Sequence, residues 1–326
     1  MAMNVKVQKA TRTQCAACIL LEGLSGHGKS GAALTIAAAL SPTNSFEETL
    51  YIDTENKSVN LFDGLVLASG AKVNDLDCVQ MDTTDGFAPE NYLACRIVAK
   101  NMGKKVLVQD SITHAWNAKG GVLDQVSTLK ATTTNSLYKK DTYAAWGAPE
   151  IVKAKQELFE MVRDSELHII STVRVKEKLE YDKDEAGRTR LVSLGEQQII
   201  QADMKYEFDL VMTCLEQGST KQGVTKHPKV RIVKSRYAIF VEGETYELTP
   251  EVLENLRNYL LEGADPKALE EKQRQDYLDL LKDKFTANSI DRTLADLTKE
   301  NLGYKEAKYS ELPFHILKQI YTTIFK

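Results

Sequence analysis

Gly23-Leu24-Ser25-Gly26-His27-Gly28-Lys29-Ser30 decides how this chain reads. These eight residues satisfy G-x-x-x-x-G-K-[ST] without a gap. The spacing has a chemical purpose. Glycines let the backbone curl round a phosphate, so that successive N–H groups point inward at a helix start, where the dipole favours an anion. Gly23, Ser25, Gly26, His27 and Gly28 are the wrapping residues, with His27 filling the loop. Lys29 is spaced to reach β- and γ-phosphates, and the Ser30 hydroxyl to ligate Mg2+. ATP with Mg2+ is therefore the expected ligand pair.

The flanks supply the context this motif needs. Ala17–Glu22 is a short apolar run that reads as a strand, and Gly31–Leu40 reads as a helix. Farther out, Thr49–Asp53, Asp77–Met81, Lys105–Asp110 and His168–Val173 read as strands. Pro89–Asn101 and Ala148–Ser165 have apolar residues at helical spacing. Strands alternating with helices imply an α/β fold with a doubly wound, mostly parallel sheet. From Tyr206 the pattern changes. Phe208–Thr213, Lys229–Val233 and Ala238–Val241 read as strands with no helix between them. Residues 251–326 read as a small C-terminal helical region, with a break at Glu262–Pro266. The expected organisation is a loose segment over 1–14, a core over 15–250 and helices over 251–326.

A phosphate loop needs an acid on a neighbouring strand tip to hold the metal's hydration shell. Asp110, ending Val106–Asp110, is the expected metal partner beside Ser30, and Asp53 is the alternative. Hydrolysis also needs a carboxylate to polarise the attacking water. Glu55, just beyond the tip at Asp53, is in place for that task; as a bland alternative it is a solvated loop residue.

The order of these motifs resembles the RecA-like ATPases. In that family the strand after the P-loop helix ends in Asp-x-Glu, with Glu as catalytic base, and Asp53-Thr54-Glu55 matches. The family's second acidic motif, an apolar strand ending Asp-Ser, matches Asp110-Ser111. Thr172 and Arg174 stand where the family senses the γ-phosphate. Lys234 and Arg236 match two basic residues that complete the ATP site of the neighbouring subunit. The resemblance covers roughly residues 15–245 and is greatest to the bacteriophage RecA-like annealing and recombination ATPases. It implies an ATP hydrolase that binds single-stranded DNA for annealing or strand exchange. It also implies a homo-oligomer, as ring or filament, working beside a single-stranded-DNA-binding protein. A ring-type DNA motor on the same core, or an ATP-controlled protein-docking switch, are the competing readings.

Two segments would face DNA in such a fold. Trp116–Tyr143 carries Lys130, Lys139 and Lys140, and its Thr, Asn and Ser content reads as a mobile loop. Val175–Met204 carries Lys178, Arg188 and Arg190, but acids there cancel the charge. Gln217–Val241 holds six cations and no acid, so anions are expected beside it. His114 reads as lying near the nucleotide. Trp116, Trp146 and Tyr143 read as packing residues, with base stacking the sharper alternative.

Composition limits the rest. The chain has 326 residues, 42 basic and 46 acidic, with a formal net charge of −4. That excludes a globally basic, histone-like binder and leaves room for local basic stripes. Five scattered cysteines read as reduced thiols, and the lone pair Cys15 and Cys18 lacks a second pair to complete a zinc site. No apolar run reaches the ~18–20 residues that span a membrane. The expected compartment is the cytoplasm.

Overall fold

Strand β1 (Cys18–Gly23) shows how the sequence builds two faces at once. Successive strand side chains point to opposite sides. Ile19 and Leu21 join one apolar cluster, with Leu34 and Ile36 of helix α1 (Lys29–Leu40). Cys18 and Leu20 join the other, with Tyr92 of α2 (Pro89–Asn101) and Leu158 of α7 (Pro149–Glu160). A strand apolar on both sides must be covered on both sides, and here it is.

The computed structural model describes residues 11–183, 189–216, 226–286 and 292–324. The remaining strands of the core are β2 (Thr49–Asp53), β3 (Asp77–Gln80), β4 (Val106–Asp110), β5 (His168–Lys183), β6 (Thr189–Gln198), β7 (Leu210–Cys214), β8 (Lys229–Ser235) and β9 (Thr245–Glu247). They join β1 in one sheet, ordered β3-β2-β4-β5-β1-β7-β8-β9, with β6 paired to β5 off that path. The first six of that order pair in parallel, whereas β8 and β9 add in antiparallel fashion. The sheet is thus α/β, mostly parallel and wound on both faces.

Two expectations, at 238–241 and 116–143, meet a different structure. Residues 238–241 form a turn, with Phe240 N–H donating to Tyr237 O, and the chain pairs again only at β9. Of these four, Phe240 is buried and Ile239 packs against the core, whereas Ala238 and Val241 are exposed. The segment Trp116–Tyr143 is helical. It starts in the last turn of α3 (Thr113–Asn117), contains α4 (Val122–Thr132) and α5 (Ser136–Lys140), then enters α6 (Thr142–Trp146). Val122 and Val126 bury one side of α4, and Asn135 and Asp141 cap the short helices by accepting from Leu137 N and Tyr143 N. Val175–Met204 is chiefly a hairpin: β5 pairs β1 and β4 with its first half, then leaves them to pair β6 from Val175 onward.

The chain divides into two compact units, Cys15–Leu260 and a second made of Met1–Gln14 with Leu261–Lys326. Helix α8 (Pro250–Leu261) accounts for the difference from a boundary at 250. Its Leu253, Leu256 and Leu260 lie in the α1-side cluster, each burial being worth about 2 kcal/mol. In the second unit, Leu278, Leu281, Ala295, Leu312, Ile316, Leu317 and Ile320 form the core of α9 (Pro266–Thr286), α10 (Arg292–Asn301) and α11 (Phe314–Ile324). The described part of the N-terminal segment is tied in: Arg12 pairs with Glu262 at 2.8 Å, and Thr13 bridges Ala264. Gly263 permits that approach, since a Cβ there would stand 2.4 Å from Arg12 O, and its φ of +103 favours glycine. Residues 1–10 lie outside the described residues.

Candidate functional site

The P-loop leaves β1 and turns into α1. Gly26 and Gly28 have φ of +83 and +75, and Gly28 is the N-cap of α1. A side chain at either would be strained, so these two positions need glycine. Lys29 Nζ donates to Gly23 O at 3.0 Å and Leu24 O at 2.9 Å. Burial pushes its ammonium below the ordinary 10.5, against the pull of Asp110. His27 Nδ1 lies 3.1 Å from Cys214 O, tying the loop to β7.

Asp110 is the hub beneath the loop. It is buried at the tip of β4, and Ser30 Oγ and Tyr51 OH both donate to its Oδ2, each at 2.5 Å. Thr172 Oγ1 donates to Oδ1. Thr172, expected at the γ-phosphate, is fully buried and orients Asp110 instead. Asp110 and Ser30 present hard oxygen donors side by side facing one cleft, a set that fits Mg2+ rather than a softer metal.

Asp53 and Glu55 do different things. Asp53 stands beside Asp110 in register. Its oxygens are occupied by backbone: Glu55 N donates at 2.7 Å and Val59 N at 3.0 Å. It is fully buried and shapes the loop that carries Glu55. Glu55 instead lines the cleft, where Arg174 grips its carboxylate with Nε at 2.9 Å and with Nη2. Burial would raise the Glu55 carboxyl, but the Arg174 hydrogen bonds and charge outweigh it and hold the group below its usual value.

These groups share a cleft of about 530 Å3, floored by Gly28, Lys29 and Ser30 and walled by Glu55, Asp110 and Arg174. Residues 16–247 match the AAA domain family. The chain belongs to that family. No curated protein matches it. An AAA domain implies an ATPase that binds nucleotide, usually with Mg2+, and the cleft has the donors for both. No helix among the described residues is long and apolar enough to cross a membrane.

Other expected residues of this AAA domain lie off that cleft. Lys234 Nζ donates to the carbonyls of Lys205, Tyr206 and Phe208, at 3.2, 3.1 and 2.7 Å. Arg236 pairs with Asp209 at 2.8 Å. Lys229 pairs with Glu247, so the basic run finds carboxylates from outside its own segment. Lys139 and Lys140 are exposed on α5, while Lys130 donates to Thr142 Oγ1 at 2.5 Å. Lys178 and Arg190 fall on β5 and β6, their side chains outside the description; Arg188 lies outside the described residues. Trp116 and Trp146 stack at 5.9 Å and pack on the α2 side, whereas Tyr143 is 90% exposed. His114 Nδ1 lies 2.7 Å from Thr54 Oγ1, one shell back from the cleft.

Several site residues are not evident from motifs. Tyr51 had a signal: a tyrosine inside a fully buried strand needs a partner for its hydroxyl. Register puts it beside Val108, two positions before Asp110, on the same face. Tyr92 OH donates to Ser111 O at 2.9 Å, and Thr54 Oγ1 to Asp110 O at 3.1 Å, steadying the same strand end. Phe62 and Ser58, from the turn after Glu55, close the cleft beside Gly31. Nothing in their local sequence marks them.

Proposed function

We propose that this chain is a RecA-like, Mg2+-dependent ATPase of the kind found in phage recombination. It binds single-stranded DNA and promotes annealing or strand exchange. The observation that supports this best is the separation of two acids on neighbouring strand tips. Asp110 on β4 faces Ser30, while Glu55 beyond β2 faces the cleft from the other wall. An acid beside the metal and a second acid on the cleft wall to act on water is what hydrolysis needs.

In this reading the P-loop amides and Lys29 hold the triphosphate. Ser30 and Asp110 would hold Mg2+, which neutralises charge on the phosphoryl oxygens. Glu55 orients the water and accepts its proton as oxygen attacks the γ-phosphorus and ADP leaves. Lys234 and Arg236 serve the adjacent subunit's nucleotide in a homo-oligomer, so exchanging Asp209 and carbonyl partners for phosphate. DNA lies against the lysines of α4 and α5 and against the β5–β6 hairpin, whose roots Val175 and Ile199 line the cleft. A single-stranded-DNA-binding protein is the expected companion, and a cytoplasmic compartment suits these ligands.

The test is steady-state ATP turnover with and without single-stranded DNA, alongside an annealing assay with complementary strands. Glu55→Gln should bind ATP yet lose about 10²-fold or more in turnover. Turnover indifferent to DNA, with no annealing, refutes the DNA role and favours a protein-docking switch. ATP-driven unwinding of duplex favours the motor.

A further inference from the structure

Thr54 stands between Asp53 and Glu55, and its buried hydroxyl is a meeting point. Ser111 N donates to Thr54 Oγ1 at 2.8 Å. The carbonyls of Asp110 and Ser111 lie 3.1 and 3.3 Å from that oxygen, and His114 Nδ1 lies 2.7 Å from it. Asp110 and Ser111 mark the end of β4, and His114 belongs to α3. One oxygen therefore ties the turn that carries Glu55 to the strand tip that carries Asp110. A threonine hydroxyl has a single hydrogen. Pointed at the carbonyls, it leaves the oxygen to accept from Ser111 N and from the ring. Pointed at the ring, it leaves both carbonyl contacts without a hydrogen between the oxygens. Only the first arrangement puts a hydrogen in every contact. Burial, aided by the Arg174 charge, holds His114 below the ordinary 6.5. At neutral pH the ring is thus uncharged and carries one N–H.

We propose that His114 is a positioning residue: as the Nδ1–H tautomer it donates to Thr54 Oγ1, and so holds the Glu55 turn against the tip of β4. This role rests on the reading of Glu55 as base. His114 acts through Thr54 and does not itself touch the reacting atoms. The main chain pins the same turn, since Thr54 N donates to Asp110 O at 2.8 Å. The imidazole adds the side-chain half of that clamp, because its donation turns the Thr54 hydrogen towards the carbonyls. A reacting group displaced by about 1 Å can lose about 10²-fold in rate, so turnover should register a loosened clamp strongly. Lys29 and the P-loop backbone lie outside this network, and nucleotide affinity should not depend on it.

Magnetic resonance of the full-length protein, with its histidines labelled with nitrogen-15, reads the tautomer at neutral pH. The His114 ring signals are those absent from His114→Asn. Nδ1 should carry the hydrogen, and an Nε2–H ring overturns the proposal. ATP turnover gives a second reading. His114→Ala should turn over about tenfold more slowly, the scale of one lost hydrogen bond, with ADP affinity unchanged. His114→Asn returns an N–H near the Nδ1 position and should recover most of the rate. His114→Gln places one near Nε2 and should not. Equal recovery in both, recovery in neither, or undiminished turnover in His114→Ala overturns the role. Because the effect passes through Glu55, adding His114→Ala to Glu55→Gln should slow that variant no further; losses that multiply assign His114 to the fold alone and overturn the role too. Glu55→Gln separates the two ideas. Normal turnover there removes the base assignment and leaves the tautomer to the resonance measurement, whereas lost turnover beside an unaffected His114→Ala removes only the positioning role.

Discussion

Replacing Asp53 should damage the fold, and replacing Glu55 should damage only the chemistry, although the two acids are two residues apart. Asp53 is fully buried, and its carboxylate is the acceptor for Glu55 N and Val59 N. Asp53→Ala leaves the buried Val59 amide without that acceptor and the half-buried Glu55 amide dependent on water. A buried orphan N–H costs about 1–3 kcal/mol and a partly wet one less, so a total of about 2–4 kcal/mol is expected. For a unit of this size that is a fall of roughly 5–12 °C in melting temperature. Asp53→Asn keeps one carbonyl acceptor and should lose about half as much. Glu55→Gln, by contrast, should melt near the parent. Thermal unfolding followed by circular dichroism, without nucleotide, measures all three. An Asp53→Ala variant melting within about 2 °C of the parent would refute the assignment of Asp53 as loop organiser.

Three further outcomes are expected. Tyr51→Phe removes a buried donor to Asp110 and should cost about 1.5–3 kcal/mol in urea unfolding, the range for a hydrogen bond to a charged group; no measurable loss would show the contact to be idle. His168 is pushed by burial down to about 4, while an unfolded chain titrates near the ordinary 6.5. Above 6.5 the ring is neutral in both states; below it only the unfolded state takes the proton, so acidification should erode stability by roughly 1.4 kcal/mol per pH unit until about pH 4, and His168→Gln should flatten that slope in melts between neutral and mildly acidic buffer. Mixing Lys234→Ala/Arg236→Ala chains with Glu55→Gln chains should restore some ATP turnover, because a mixed interface can hold one complete site; co-assembled variants that never complement would assign the two cations to DNA or to folding.

Elements whose information is local were legible in the sequence. Thr49–Asp53 and Pro89–Asn101 occur with the expected bounds because a short apolar run, helical spacing and a proline at the first helical turn are properties of the segment itself. Residues 116–143 misled through composition. Threonine, asparagine and serine suggested a loop, but Val122 and Val126 are spaced for one helix face, and Asn135 and Asp141 stand as caps. At 238–241 an apolar run resembled a strand because packing and pairing demand the same residue types. The Arg174–Glu55 pair joins residues 119 apart, and no pattern along the chain encodes it. Asp53 and Asp110 were both readable as strand-tip acids; their roles differ because one faces backbone amides and the other faces hydroxyls, which only the assembled sheet decides.

Strand β5 is sixteen residues long, yet only its first part lies among parallel neighbours. From Arg174 to Lys183 the backbone runs on as one arm of a two-stranded ribbon, nine residue steps or about 30 Å at ~3.3 Å each. The ribbon is bulged between Glu177 and Leu179, a feature that sharpens local twist. Mechanically this is a lever whose fulcrum sits at the wall of the cleft. A tilt of about 5° at Arg174 would carry the far end by roughly 2.5 Å. Force applied at the far end returns to the fulcrum with the reciprocal advantage. A change of angle at the cleft wall would therefore be read, enlarged, towards the ribbon's far end.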